Sequence, residues 1–178
     1  MNAERATEVG LAEHLANKEA RVVRQNSMLA RFSRPLVSLT INIPGPCKMT
    51  PASKKVFSEA TEAVKAVCKD KGWNIVGRQI TEKNTGPEAI FAIDVPDVLE
   101  LKRAMIEIES SHRLGRLMDL DVCGENGKMV SRRSQEMALR KCLICDKPAV
   151  ICARSAAHSL SELTECIERM VFDDKRCA

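Results

Sequence analysis

The chain has no tyrosine, one tryptophan and four phenylalanines, so aromatics are only 3% of its 178 residues. Proteins that bind single-stranded nucleic acid stack bases on aromatic faces, and this composition offers few of them. A net charge of +4 is too mild to stand in for them, so nucleic acid is not expected as a partner. No apolar run approaches the ~20 residues that span a bilayer, which excludes a membrane-crossing helix by sequence. Residues 1–10 are polar and lack the apolar stretch of a signal peptide, so the expected compartment is the cytoplasm. There the eight cysteines read as reduced thiols, some of them metal ligands, rather than as a disulfide framework. Internal repeats and low-complexity tracts are also lacking, and the length suits one domain over residues 1–178.

What is present is a run of alternating elements. From about residue 6 to residue 30, Val9, Ala12, Ala16, Ala20, Val23, Ser27 and Ala30 recur at spacings of three and four, the pattern of a helix with one buried stripe. Arg21, Arg24 and Arg31 project within about a right angle of one another on that helix. They read either as a solvated basic face or as a docking surface for an acidic partner. Residues 36–43 alternate and are β-branched, a strand that Pro44-Gly45-Pro46 stops. Thr50 before Pro51 predicts a helix start, with Val56, Ala60, Val64 and Val67 as its core stripe to about Lys71. Strands are expected at 73–80 and 89–95, separated by a loop at 84–88. A helix follows Pro96, with Val98, Leu101, Met105 and Ile108 inward. A strand is expected at 116–123, then a hairpin turn at 124–127. A helix is expected over about 133–141, and Ser159 with Glu162 predicts a capped helix over 160–172. Interleaved strands and helices with a hairpin give an α+β fold, a mixed, largely antiparallel sheet covered by helices.

Three groups of residues carry chemistry. Asp119 and Asp121 flank Leu120 in the expected strand, so they share one face about 6.5 Å apart while Met118, Leu120 and Val122 face the core. Two such carboxylates repel each other unless a cation or basic groups lie between them. They fit one or two Mg²⁺ ions of a phosphoryl-transfer site, or the solvated side of an amphipathic strand. Gly115-Arg116 just before them suits a phosphate site. Cys142-x2-Cys145, Cys152 and His158 have the residue types and spacing of a closed structural Zn²⁺ site, a knuckle over 142–158. Buried free thiols with an exposed histidine are the alternative, and the spacing leaves both open. The loops Asn42 to Lys48 and Thr85 to Glu88 can present backbone N–H groups to phosphate, although neither is a Walker or dinucleotide motif.

In order, Thr40-Ile41-Asn42-Ile43-Pro44-Gly45-Pro46-Cys47-Lys48, Thr85-Gly86-Pro87-Glu88-Ala89, Leu114-Gly115-Arg116-Leu117-Met118-Asp119-Leu120-Asp121-Val122, Ser131-Arg132, and Cys142 to His158 with Cys152-Ala153-Arg154-Ser155 between resemble one family. These are the apo-citrate lyase phosphoribosyl-dephospho-CoA transferases, also called holo-citrate lyase acyl carrier protein synthases. The resemblance runs from about Arg24 to Val171. It implies a nucleotidyltransferase, with a nucleotidyltransferase-like fold. Its donor would be 2'-(5''-triphosphoribosyl)-3'-dephospho-CoA and its acceptor a serine of the citrate lyase acyl carrier protein (gamma chain). It further implies Asp119 and Asp121 as Mg²⁺ ligands and, with Arg116, as catalytic residues. Lys48, Arg132, Thr85, Gly86 and Glu88 would bind the donor, and Arg21, Arg24 and Arg31 would dock the carrier. A sister enzyme acting on the malonate decarboxylase carrier is a second expectation, and a non-catalytic zinc-stabilised interaction module a third.

Overall fold

The computed structural model describes residues 7–131 and 140–173. The alternating run at Leu36 becomes the central strand. This β1 (Leu36–Ile41) pairs antiparallel with β3 (Gly86–Asp94) on one side and with β4 (Met118–Cys123) on the other. Beyond β3 lies β2 (Asn74–Lys83), and beyond β4 the two-residue β5 (Met129–Val130), giving the order β2-β3-β1-β4-β5. Every pairing among these strands is antiparallel, so the expected mixed sheet is corrected to an antiparallel one. The physical reason is the connections: a two-residue turn joins β2 to β3, and each helical link, β1 to β2 and β3 to β4, skips one strand, so strands of like direction are never neighbours.

The helices start where their capping residues dictate. Thr50 accepts from the Ser53 amide while the Ser53 hydroxyl answers the Thr50 amide, and Pro51 opens α2 (Pro51–Lys71). Gly72 ends it at φ 69°, which glycine alone adopts cheaply. Asp97 caps α3 (Val98–Ser111) through the Leu99 amide. At the N-terminal side is α1 (Leu11–Phe32) and at the C-terminal side α5 (Leu160–Phe172), which begins with the expected Ser159/Glu162 box. A short helix at Ala149–Ser155, α4, was not expected. The helix expected over about 133–141 lies mostly outside the described residues, and Lys141 instead forms a β-bridge with Pro148.

The two faces of the sheet differ. Val37, Leu39, Phe91, Ile93, Met118, Leu120 and Val122 form the main core with Val56, Ala60 and Val64 of α2, Leu101, Met105 and Ile108 of α3, and Ile167 and Val171 of α5. On the other face, Leu36, Ile90, Ala92 and Cys123 are covered only by the last turns of α1, through Met28, Leu29 and Phe32. Phe32 lies so close to Gly77 that a β-carbon there would sit 2.4 Å from the ring. Among the described residues no helix is long and apolar enough to cross a membrane.

The stripe expected to bury α1 does not. Ala12, Ala16, Val23 and Ser27 are exposed, whereas Asn17 and Met28 are buried and Arg21 and Arg24 turn inward. Apolar spacing misled because the surface under this half of the helix carries a buried carboxylate. The expected loop at 84–88 is likewise only Asn84-Thr85, with β3 already running from Gly86. The strand expected from Arg116 begins at Met118, after a single 3₁₀ turn at Gly115–Leu117.

Gly115 has a structural reason. A β-carbon there would meet the Ile108 carbonyl oxygen at 2.5 Å and that of Glu109 at 2.6 Å, both of them backbone atoms that cannot swing away. Gly115→Ala is therefore expected to destabilise the fold by about 1–3 kcal/mol in urea unfolding. Gly10→Ala, with nothing within 4 Å, should leave the midpoint in place. Equal midpoints for the two variants would contradict this close approach.

Candidate functional site

Strand register puts the acidic residues in rows. Thr40 lies opposite Glu88 of β3 and opposite Asp119 of β4, and Ser38 lies opposite Ile90 and Asp121. Directly paired residues share a face, so Glu88, Thr40, Asp119 and Asp121 all stand on the side that α1 covers only in part. Two strand spacings separate Glu88 from Asp119, about 10 Å. Met118, Leu120 and Val122 point into the opposite core, as alternation requires. The Asp119 and Asp121 side chains are 43% and 53% exposed.

Glu88 is buried and fully engaged. Its Oε1 accepts from Asn17 Nδ2 at 2.6 Å and Arg21 Nη2 at 2.5 Å, and its Oε2 from Arg24 Nη2 at 2.6 Å. Burial by itself would raise its pKa. The hydrogen bond and charge of Arg21, the Asn17 amide and the charge of Arg24 outweigh it and hold the carboxyl below its ordinary 4.5. Arg21 Nε is buried with no hydrogen-bond partner among the described residues. The three arginines of α1 therefore do not share one solvated face. Arg21 and Arg24 bind inward, and only Arg31 is exposed, stacked over Phe32 at 5.1 Å.

Asp119 and Asp121 have basic neighbours. Arg140 Nη2 lies 3.2 Å from Asp119 Oδ1, and Lys102 Nζ lies 3.9 Å from Asp121 Oδ1. Even so, burial and the charge of Asp119 keep the Asp121 pKa above its ordinary value, with Lys102 and Arg140 pulling the other way. The repulsion between the aspartates is thus only partly relieved within the protein.

The two glycine- and proline-shaped loops lie together. A β-carbon on Gly86, whose φ is 106°, would stand 3.5 Å from Lys48 Cβ. Lys48 itself donates to the Ile43 carbonyl, and burial lowers its pKa. Thr85 Oγ1 is buried without a partner among the described residues. Arg132 lies outside the described residues.

The cysteine cluster closes in space. The ligand atoms of Cys142, Cys145, Cys152 and His158 all lie within 4.8 Å of one another, and the Cys145 and Cys152 sulfurs are 3.5 Å apart. The knuckle is held by Cys142 N–H to Lys147 O and Ala149 N–H to Arg140 O, each 2.8 Å. Burial would raise the Cys142 pKa, but the Ile144 and Cys145 amides and the neighbouring thiols bring it down to about 7. The Cys152 thiol is pushed up to about 11 by burial and by its hydrogen bonds to Cys145 and Cys142. His158 Nε2 is buried and has no hydrogen-bond partner among the described residues. This group can hold a metal ion. Arg116 and Arg140 line a cleft with Asn42, Pro44 and Leu143 along the flank of the cluster.

Sequence patterns missed Arg140, Lys102 and Glu109. Lys102 and Glu109 sit seven residues apart beside the apolar stripe of α3, and both are buried. A charge pair on that line was the available signal.

Glu88 yields a test. Its depressed pKa contributes stability that is fully present above pH 4.5 and is lost as pH falls through the lower folded value. Glu88→Gln leaves two guanidinium groups without their carboxylate, at an expected cost near neutral pH of about 2–3 kcal/mol once their partial exposure is allowed for. The gap between wild type and variant should narrow below pH 4.5. A gap that is constant from pH 7 to pH 3 would exclude this charge pairing as its cause.

Comparison with known proteins agrees with this arrangement of motifs. Residues 9–174 match the family described as apo-citrate lyase phosphoribosyl-dephospho-CoA transferase. A probable apo-citrate lyase phosphoribosyl-dephospho-CoA transferase of Vibrio cholerae is 44% identical over 170 residues, 96% of each chain. The apo-citrate lyase phosphoribosyl-dephospho-CoA transferase of Escherichia coli is 36% identical over 169 residues, covering 95% of this chain and 92% of its own. With a match across nearly its whole length, this chain belongs to the apo-citrate lyase phosphoribosyl-dephospho-CoA transferase family.

Proposed function

We propose that this chain transfers the phosphoribosyl-dephospho-CoA group from 2'-(5''-triphosphoribosyl)-3'-dephospho-CoA to a serine of the citrate lyase acyl carrier protein. The serine oxygen bonds to the α-phosphorus, the bond from that phosphorus to the bridging oxygen of the β-phosphate breaks, and pyrophosphate leaves. The row Glu88–Thr40–Asp119 carries this reading, because it sets a carboxylate pair beside an arginine-bearing helix on one open sheet face. A reaction of this type asks for positioning and for neutralisation of a crowded triphosphate more than for covalent chemistry.

Asp119 and Asp121 are the residues that would hold Mg²⁺. Their shared face, their exposure and the only partly relieved repulsion at Asp121 fit a cation there. When bound, the ion neutralises phosphate charge and orients the reacting oxygens. One of these two carboxylates is assigned to take the serine proton. Arg21, with its unpartnered Nε, and Arg24 supply positive potential at the edge of the face, and we assign them to the donor phosphates. Lys48, Thr85 and Gly86 border the same edge, and Arg116 lines the cleft next to Arg140. Arg31, the exposed one of the three arginines of α1, is assigned to docking the carrier. The antiparallel sheet with flanking helices is compatible with a nucleotidyltransferase-like fold, and a nucleotide-derived donor is our reason for assigning the enzyme to the cytoplasm.

The Cys/His group fits zinc. A tetrahedral ion with bonds of about 2.3 Å to sulfur and 2.0 Å to nitrogen separates its ligands by about 3.5–3.8 Å. The separations here are within reach of that, and the partnerless His158 nitrogen is the expected lone pair. Such an ion would stabilise the knuckle that carries Arg140.

Incubating the purified chain with donor, Mg²⁺ and apo carrier should add one phosphoribosyl-dephospho-CoA mass to the carrier. Asp119→Asn and Asp121→Asn should each lower the rate at least ~1,000-fold without lowering the melting temperature. Near-normal rates in both would remove the role assigned to the pair. Separately, untreated protein should contain about one zinc per chain, and a strong chelator or Cys145→Ser should lower the melting temperature by roughly 5 °C or more. Metal-free protein with unchanged stability would show the cluster to be thiols alone.

A further inference from the structure

Among the described residues, Glu88, Lys102 and Glu109 are the charged ones buried to about 4% exposure. Glu88 is engaged by α1. The other two come from α3, on the opposite side of the sheet, and need a separate explanation. Seven residues apart, they lie on one line of that helix. Both reach the outer edge of β4, which β5 covers only at Val122 and Cys123. There they take the two polar groups of one residue. Leu120 N–H donates to Glu109 Oε1 at 2.7 Å, and Lys102 Nζ donates to the Leu120 carbonyl at 3.1 Å. Leu120 stands between the two aspartates. Lys102 Nζ also lies 3.9 Å from Asp121, and Arg140 Nη2 joins Glu109 to Asp119.

We propose that Lys102, Glu109 and Arg140 are positioning residues that fix the Asp119-Leu120-Asp121 segment for cation binding. The inference rests on the reading of these aspartates as the Mg²⁺-binding pair. A bare strand edge can be protected by a longer partner strand or by an exposed lysine, neither of which buries a charge. Burying Lys102 and Glu109 is a costlier solution, since desolvated charges seldom add stability over apolar replacements. What they supply is geometry. With both its amide and its carbonyl tied, Leu120 cannot rotate, so its neighbours project on one face at a fixed separation. Arg140 and Lys102 then each restrain one carboxylate from the side. A pair set in place beforehand binds a cation without first ordering itself.

The test uses the full chain and Mn²⁺ as the probe, with binding read by electron paramagnetic resonance in the absence of donor. Lys102→Met and Glu109→Gln should each weaken Mn²⁺ binding at least ~10-fold, as loss of a supporting partner does at metal sites. They should also raise the Mg²⁺ concentration for half-maximal carrier modification, leaving the donor KM at saturating Mg²⁺ unchanged. Amide exchange at Leu120 should speed up in Glu109→Gln, and Lys102→Arg should recover Mn²⁺ binding. Folded variants that bind Mn²⁺ as tightly as wild type would overturn the positioning role while leaving the transferase reading intact. A wild-type chain that modifies the carrier yet binds no Mn²⁺ would overturn it too. A wild-type chain that does neither would sink both. If the buried variants fail to fold, Arg140→Gln, on a partly exposed residue, carries the same Mn²⁺ expectation and the same overturning result.

Discussion

Glu88 is the charge around which the open face of the sheet is arranged. It sits third in a strand whose only other charged residue is the exposed Asp94 at its end, and a carboxylate cannot stay ionised there alone. Two arginines and an asparagine from α1 keep it charged. That requirement fixes the rotation of the helix: the polar side must turn in, so Leu11, Leu15, Val22 and Val23 are left facing outward. It also fixes where the helix stops covering the sheet. Apolar packing resumes only at Met28 and Phe32, over Leu36, Ala92 and Gly77. The part of the face bearing Thr40, Asp119 and Asp121 stays accessible, beside a region of positive charge already held in place.

The opposite face has the reverse logic. Its side chains are aliphatic or aromatic and are covered by α2, α3 and α5. This is where stability accumulates, at about 25 cal/mol for each Å² of apolar surface removed from water. The strands are thus anchored from one side and equipped from the other. β4 shows both sides in six residues: Met118, Leu120 and Val122 belong to the core, and Asp119 and Asp121 to the candidate site on the open face.

This division explains what could be read in advance. The alternation of β4, the strand at Leu36 and the caps at Thr50 and Ser159 rest on local rules, and the structure follows them. The cysteine and histidine positions also converge as their spacing suggested. α1 defeats the same procedure. Its alanines and Val23 have the right period, but period alone does not tell a helix which side to bury, and a partner 64 residues away outbids them. Arg140 was invisible for a similar reason. Its role depends on Glu109 and Asp119, 31 and 21 residues earlier in sequence, which only tertiary structure brings to it. The antiparallel course of the whole sheet is likewise set by connections longer than any local motif.

A triphosphate bound to a protein carries more negative charge than one or two lysines can neutralise, and mobile cations must reorganise as the reaction moves charge toward pyrophosphate. Carboxylates that hold arginines still remove that reorganisation, because the positive groups are aimed before the donor arrives. Glu88 holds Arg21 and Arg24 in this way and Glu109 holds Arg140, which under the proposed reaction would aim them at the donor. Each carboxylate cancels part of the charge it positions, so the arrangement gives up some raw attraction for the donor in exchange for fixed direction. That exchange favours the transition state over simple binding, since direction matters most where charge is developing. On this view the acidic residues around the site are there to set its basic groups, and Asp119 and Asp121 are the pair left with an unmet demand for a cation.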